Sequence, residues 1–354
     1  MISKPLAACT FAILAPVLAA FPAEKAIPTA SIARLQKAAP DDPERMEMVK
    51  VQVVLDRAKF RPGKIDGLGG EFTQKAADRY AMVHGIPEGQ RIDTSGVAQP
   101  YIDYTVTEKD LEWVGETASK PELQAKLKRL PYATSWEAIA EKFHTDLDFL
   151  KELNSGFQSD PKPGDVLRVP DVEPFDMTSV AELEKTRREE KKREKDNAGK
   201  AASEPAESDG QPEEEPIYEP VLSLVLLREP RLIELYEDDK LAGCFPCTPG
   251  SEKFPVPEGT WKITSNTLLP YFRWDKSVLE TGKRSENAYN LPPGPNNPVG
   301  IVWLAINIPS RGMHGTASPD QIGRNSSAGC VRLANWDAWE LAQRIKAGTP
   351  VIVK

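Results

Sequence analysis

Residues 311–333 read RGMHGTASPDQIGRNSSAGCVRL and bring together His314, one of the chain's three histidines, and Cys330, one of its four cysteines. Glycine follows the histidine (Gly315) and precedes the cysteine (Gly329). A thiol is a strong nucleophile only once deprotonated, and an imidazole within reach can take its proton, giving a thiolate beside an imidazolium at neutral pH. The two glycines let backbone approach a substrate closely, and the run Ala328, Gly329, Cys330 offers successive amide N–H groups able to hold an oxyanion. A structural histidine and an inert buried thiol sharing one loop would look the same, since buried free cysteine is common. Spacing leaves both readings open, because the order and separation of catalytic Cys and His differ between families.

The wider pattern narrows the choice. His314-Gly315, then Ser327 to Leu333 (SAGCVRL), then Asp337 and the closing Gly348, Thr349, Pro350, Val351 resemble the catalytic motif of the L,D-transpeptidases, the YkuD-type peptidoglycan cross-linking enzymes. Leu232 to Ile263 (LIELYEDDKLAGCFPCTPGSEKFPVPEGTWKI) resembles that domain's opening strands and its P-x-G-x-[WF]-x-I turn, and Gly294 to Gly300 (GPNNPVG) resembles the segment before the histidine strand. Several ordered motifs together are far more specific than one. The resemblance implies that Cys330 is the acylated nucleophile and His314 its base, with the Gly315 carbonyl orienting the imidazole where a carboxylate stands in a Ser-His-Asp triad. It further implies that amides around Ala328, Gly329 and Cys330 bind the oxyanion and that Ser327 fixes the loop. Arg332 is expected either to organise the loop or to meet a substrate carboxylate through a bidentate pair; a purely structural role fits equally. Many family members carry a second histidine where Ala328 stands here, so activity is expected to persist with an altered donor or acceptor preference.

The implied reaction is attack on the carbonyl of the third residue of a peptidoglycan tetrapeptide stem, loss of the terminal D-alanine, and resolution of the thioester by a side-chain amine of a neighbouring stem to give a 3→3 cross-link. No cofactor and no metal are implied. The implied partners are stem peptides and glycan strands, and the implied role is in peptidoglycan biosynthesis, wall organisation and cell shape. Two alternatives stay open: an L,D-carboxypeptidase or cross-link hydrolase of the same fold, and a non-catalytic wall-binding protein. A papain-like peptidase is disfavoured, since there the cysteine normally precedes the histidine.

The chain's 354 residues suit two to three domains, and its 32 prolines fall mostly at joints. A net charge of −8 gives no nucleic-acid footprint. Residues 1–23 carry Lys4, an apolar Ala-rich stretch and then small residues, the pattern of a signal peptide whose apolar run is short for a membrane span. An exported protein of the periplasm or cell wall follows, with no integral span after cleavage. Leu6 to Cys9 resembles a lipoprotein box but precedes the apolar run, which argues against lipidation. Cys244 and Cys247 form a C-x-x-C in or beside a strand, where residues three apart face opposite ways; strand packing is favoured over a redox pair.

The fold class expected is multidomain α+β. Residues 24–40 read as a linker. Residues 41–95 read as a small helical domain resembling the peptidoglycan-binding family, from Val51, Gln52 and Leu55, then Gly63, Ile65, Asp66 and Gly67, then Thr73, Ala76, Ala77 and Tyr80; the resemblance implies that the Asp-Gly turn and the following threonine fix the loop between helices. Residues 101–172 show strand, helix, helix, strand, with SWEAIAEKF, LKELN and PGDVLRVP resembling a LysM module, although residues 107–130 exceed the usual first loop. LysM modules hold N-acetylglucosamine polymers, so glycan is implied as the ligand. His84 and His144 are expected at the surface. Residues 173–216, a charged run and then an Ala/Ser/Glu/Pro tract, read as a tether that lets the last domain reach its polymer. Residues 217–354 read as the mostly-β catalytic domain, with Thr281 to Pro298 as a possible lid.

Overall fold

The computed structural model describes residues 31–201, 219–250, 255–281, 284–324 and 329–354. The expected signal peptide, the first part of the 24–40 linker, most of the Ala/Ser/Glu/Pro tract, and Ser327 and Ala328 lie outside the described residues. Among the described residues no helix is long and apolar enough to cross a membrane.

Helix α1 (Pro43–Arg57) starts where Asp42 accepts the N–H groups of Glu44 and Arg45, with proline in the first turn. Helix α2 (Glu71–His84) stops at Gly85, whose φ of 64° is the left-handed conformation glycine tolerates. Gln52 fixes the loop between them: its Nε2 donates to Asp66 Oδ1 (3.0 Å) and Thr73 Oγ1 (3.4 Å), and its Oε1 accepts from the Gly67 N–H (2.9 Å). His84, exposed as expected, lies against the Tyr80 ring with centroids 4.1 Å apart.

The second unit follows the expected order with additions. Strand β1 (Tyr101–Thr105) leads to two single-turn helices, α3 (Glu108–Leu111) and α4 (Pro121–Gln124), and then to α5 (Ser135–Lys142), α6 (Leu147–Leu153) and β2 (Val166–Pro170). β1 and β2 pair antiparallel, Tyr101 opposite Pro170 and Thr105 opposite Val166. Thr134 caps α5 by accepting the Glu137 N–H. The long first loop packs onto the C-terminal domain: Trp113 enters its core, and the Leu130 N–H donates to the Pro293 carbonyl (2.9 Å). His144 corrects its surface expectation. It is 3% exposed, its Nδ1 is 3.1 Å from the Asp56 carboxylate, and its ring stacks on Trp336. Residues far away in sequence supply both contacts, so the local pattern carried no sign of them.

Helix α7 (Met177–Ala201) also departs from expectation. Its first turns are docked: Met177 and Val180 are buried in the C-terminal core, and Arg187 reaches Asn266 Oδ1 and the Ala342 carbonyl. The apolar residues occupy only the N-terminal turns, and the high charge of the remainder masks them when the run is read as a whole.

The C-terminal domain contains β3 (Leu222–Leu227), β4 (Leu232–Glu237), β5 (Lys240–Pro246), β6 (Gly259–Leu268), β7 (Phe272–Trp274), α8 (Lys276–Thr281), β8 (Tyr289–Leu291), β9 (Val302–Ile306), β10 (Gly312–His314), β11 (Val331–Arg332), α9 (Asn335–Arg344) and β12 (Pro350–Val353). Eight strands form one sheet in the order β11-β10-β9-β6-β12-β3-β4-β5, in which β10/β11 and β12/β3 are parallel pairs and the rest antiparallel. Helix α9 covers it with Trp336, Ala338, Leu341 and Ala342. Cys244 and Cys247 are both free and buried; Cys244 joins the cluster shared with α1 and α2, and Cys247 joins the sheet core. The segment considered as a lid is fastened along its second half: β8 pairs with β7, Asn297 is fully buried, and Asn296 donates to the Pro131 carbonyl. The chain thus has the mixed α+β architecture expected, but its units share cores.

Candidate active site

The site forms where β10 meets β11. Their parallel register sets Met313 beside Val331 and His314 beside Arg332, so Cys330 falls beside Gly312. Side chains alternate across a strand. Met313 and Val331 are each 1% exposed and point into the core, which puts His314, Cys330 and Arg332 on the opposite face. His314 and Cys330 are therefore diagonal neighbours on one face of the parallel pair.

His314 is buried and tightly held. Its ring stacks on Trp303 (centroids 5.4 Å apart, planes 13° apart), and its Nδ1 lies 2.6 Å from the Gly315 carbonyl. A carbonyl only accepts, so the neutral ring carries its proton on Nδ1 and leaves Nε2 with the lone pair. Burial lowers the His314 pKa to about 4, outweighing the Gly315 carbonyl, which raises it; Arg332 lowers it further.

Cys330 is half-buried, and its thiol lies 3.8 Å from the Ser310 carbonyl. Burial pushes the thiol up from its ordinary value, against the Gly312 N–H and the charges of Arg311 and Arg332, which pull it down. Burial therefore drives both groups toward their neutral forms. Burial thus works against the thiolate–imidazolium pair expected from the sequence.

Gly329 has φ of 109°, and a Cβ there would overlap the Arg311 guanidinium. Arg332 is half-buried on the thiol's face, and its backbone exchanges two hydrogen bonds with Thr248, both 2.9 Å. Thr248 Oγ1 also accepts the Gly323 N–H (2.8 Å), pinning the loop that runs toward Cys330. The helical hairpin braces that loop from outside: Lys64 pairs with Asp320, and Phe72 packs on Gly323. Among the expected site residues, the structure places His314, Gly315, Gly329, Cys330 and Arg332 together, while Ser327 and Ala328 lie outside the described residues. Sequence reasoning missed Trp303, Gly312 and Thr248. Gly312 and Thr248 lie within the stretches quoted for the resemblance, but only strand register brings these three residues to the site.

Residues 220–353 match the YkuD family, described as the L,D-transpeptidase catalytic domain, and residues 135–170 match the LysM domain family. The chain is similar to two Bacillus proteins provisionally named L,D-transpeptidases. YkuD of Bacillus licheniformis is 30% identical over 123 residues, 35% of this chain and 59% of that protein. YqjB of Bacillus subtilis is 29% identical over 121 residues, 33% of this chain and 61% of that protein. The chain thus spans about three-fifths of the length of these two relatives. Among solved structures, the L,D-transpeptidase from Mycobacterium smegmatis aligns with 38% of this chain and 59% of its own at 19% identity and a TM-score of 0.32.

Proposed function

Since the chain carries a YkuD-type L,D-transpeptidase catalytic domain and a LysM domain, we propose that it is a cysteine-dependent L,D-transpeptidase that forms 3→3 cross-links between peptidoglycan stems. The observation that carries this reading is the parallel β10–β11 register, which sets His314 and Cys330 on one face with the imidazole proton held on Nδ1.

In the proposed cycle, Nε2 of His314 takes the thiol proton as Cys330 Sγ bonds to the carbonyl carbon of the third stem residue. The resulting oxyanion is met by the amides at Gly329 and Cys330 and by those of the preceding loop residues. As the tetrahedral species collapses, the C–N bond to the terminal D-alanine breaks and His314 returns its proton to the departing amine. The thioester keeps the carbonyl activated, and a side-chain amine of a neighbouring stem displaces the thiol, regenerating Cys330 as the cross-link forms. Arg332 is assigned to a carboxylate of the donor stem, which its position beside the thiol favours. The LysM domain is assigned to the glycan strand, and the protein to the cell-wall compartment where that polymer lies.

Mass spectrometry of the chain incubated with defined tetrapeptide stems tests this directly. The expected outcome is an acyl adduct on the wild type, none on Cys330→Ala, and a cross-linked dimer as product. Tripeptide without dimer would make the enzyme a hydrolase, and absence of any adduct on the wild type would remove the catalytic reading.

A further inference from the structure

Resting on the reading of Cys330 and His314 as nucleophile and base, we propose that Glu141, in the LysM domain, is a positioning residue for His314 and acts through Asn335 of the catalytic domain. Glu141 lies on α5, 8% exposed, and accepts the Tyr132 hydroxyl at 2.7 Å. Asn335, fully buried at the start of α9, donates from Nδ2 to both Glu141 oxygens (3.0 and 3.2 Å) and to the Pro295 carbonyl (3.2 Å). At the other end of the amide, Oδ1 accepts the Ile301 N–H at 3.3 Å.

These partners leave the amide one orientation. Pro295 offers only an acceptor and Ile301 only a donor, so a flipped Asn335 would set donor against donor and acceptor against acceptor. Glu141 strengthens the acceptor end with two more oxygens. Burial pushes its carboxyl up to about 8, against Tyr132 and Asn335, which lower it; Glu137 is the nearby charge that raises it further. Ionised or not, the carboxyl keeps an oxygen able to accept from Nδ2.

The oriented oxygen then acts as a wedge. Oδ1 lies against both Gly300 and Gly315, and a Cβ at either position would overlap it. Gly315 is the residue whose carbonyl holds His314 Nδ1. The Leu333 N–H donates to the His314 carbonyl at 2.8 Å, tying the histidine to the chain just before Asn335. A carboxyl in one domain thus fixes an amide in the next, and that amide fixes the peptide that sets which ring nitrogen carries the proton. Asn335 is needed to pair the buried Pro295 carbonyl and Ile301 N–H, whereas the Tyr132–Glu141 pair meets only the already satisfied Nδ2 end, where an apolar pair of similar shape would fill the space.

The test uses the full chain labelled with 15N at its three histidines, with the His314 signal identified by its loss in His314→Gln. Glu141→Leu removes both acceptors, and Glu141→Gln keeps one. The wild type and Glu141→Gln should show His314 as a single Nδ1–H tautomer. Glu141→Leu should show a tautomer mixture, with acyl-enzyme formation from tetrapeptide stems about tenfold slower per folded molecule. Should Glu141→Leu fail to fold, Asn335→Ala removes the wedge itself and should give the same two changes. A variant that melts lower yet keeps the wild-type tautomer and rate would reduce the contact to interdomain packing and overturn the proposal. If the wild type forms no acyl-enzyme but its tautomer still responds to Glu141, the nucleophile assignment falls and the coupling is upheld.

Discussion

At the scale of single residues, His314 gives the sharpest expectation. Burial lowers its pKa to about 4, so the ring remains a neutral base well below the ordinary imidazole value of 6.5. The rate of acylation measured against pH should show its acid limb near 4; a limb near 6.5 would mean a solvated histidine. The same shift bears on stability. The unfolded chain takes this proton near 6.5 and the folded chain only near 4, so His314 weakens the fold as pH falls through that interval. Gly329 makes a second case, since its φ of 109° is a conformation that residues with side chains rarely adopt. Gly329→Ala should cost about 1–3 kcal/mol in urea unfolding and slow acylation, because the strained residue directly precedes the nucleophile. His314, Gly315, Gly329 and Cys330 were legible as a motif because they are close in sequence. Trp303, which stacks on the base, was not: an aromatic residue in a strand pattern looks like any other until register chooses its neighbour.

Among the elements, the helical hairpin shows how much one buried side chain can organise. Gln52 alone ties Asp66, Gly67 and Thr73. Gln52→Ala should leave those groups short of partners and cost about 1–3 kcal/mol, read as an earlier chemical unfolding midpoint. A midpoint unchanged from wild type would show that water replaces the amide without loss. The sequence pattern marked the helical character of residues 41–95, the strand, helix, helix, strand order of residues 101–172 and the mostly-β character of residues 217–354. Helix α7 was legible as a charged run but not as a docked helix, since its burial depends on two residues, Met177 and Val180, and on the sheet they meet.

For the whole molecule, shared cores replace the picture of modules on a tether. The C-terminal sheet packs against Trp113, Tyr132, Ala138, Phe175, Met177 and Val180 from the preceding segments. A chain of residues 217–354 alone would expose that surface, so it should melt well below the full chain or aggregate; a matching melting temperature would show that the catalytic domain stands unaided. A second seam is ionic. Arg61 pairs with Asp56 at 2.5 Å and approaches Asp337 (3.3 Å) and Glu340 (3.6 Å) on α9. Burial works to raise both acids. Asp56 is nonetheless held well below the usual range by Arg61 and His144, whereas the Asp337 carboxyl is pushed up to about 8. Arg61→Met should strand the Asp56 charge and cost about 3–5 kcal/mol, measurable by thermal unfolding. A loss below 1 kcal/mol would mean that His144 takes over the charge.

By itself the sequence carried the order of elements, the YkuD and LysM resemblances and the candidate sulfur and imidazole, because each is written in local periodicity or in motifs of fixed spacing. Tertiary structure decided the rest: the strand face that His314 and Cys330 share, the burial that disfavours their charged forms, the burial of His144, and the contacts from Glu141 through Asn335 to Gly315. Those properties depend on desolvation and on contacts between residues as much as 194 positions apart, and neither is expressed until the chain is folded.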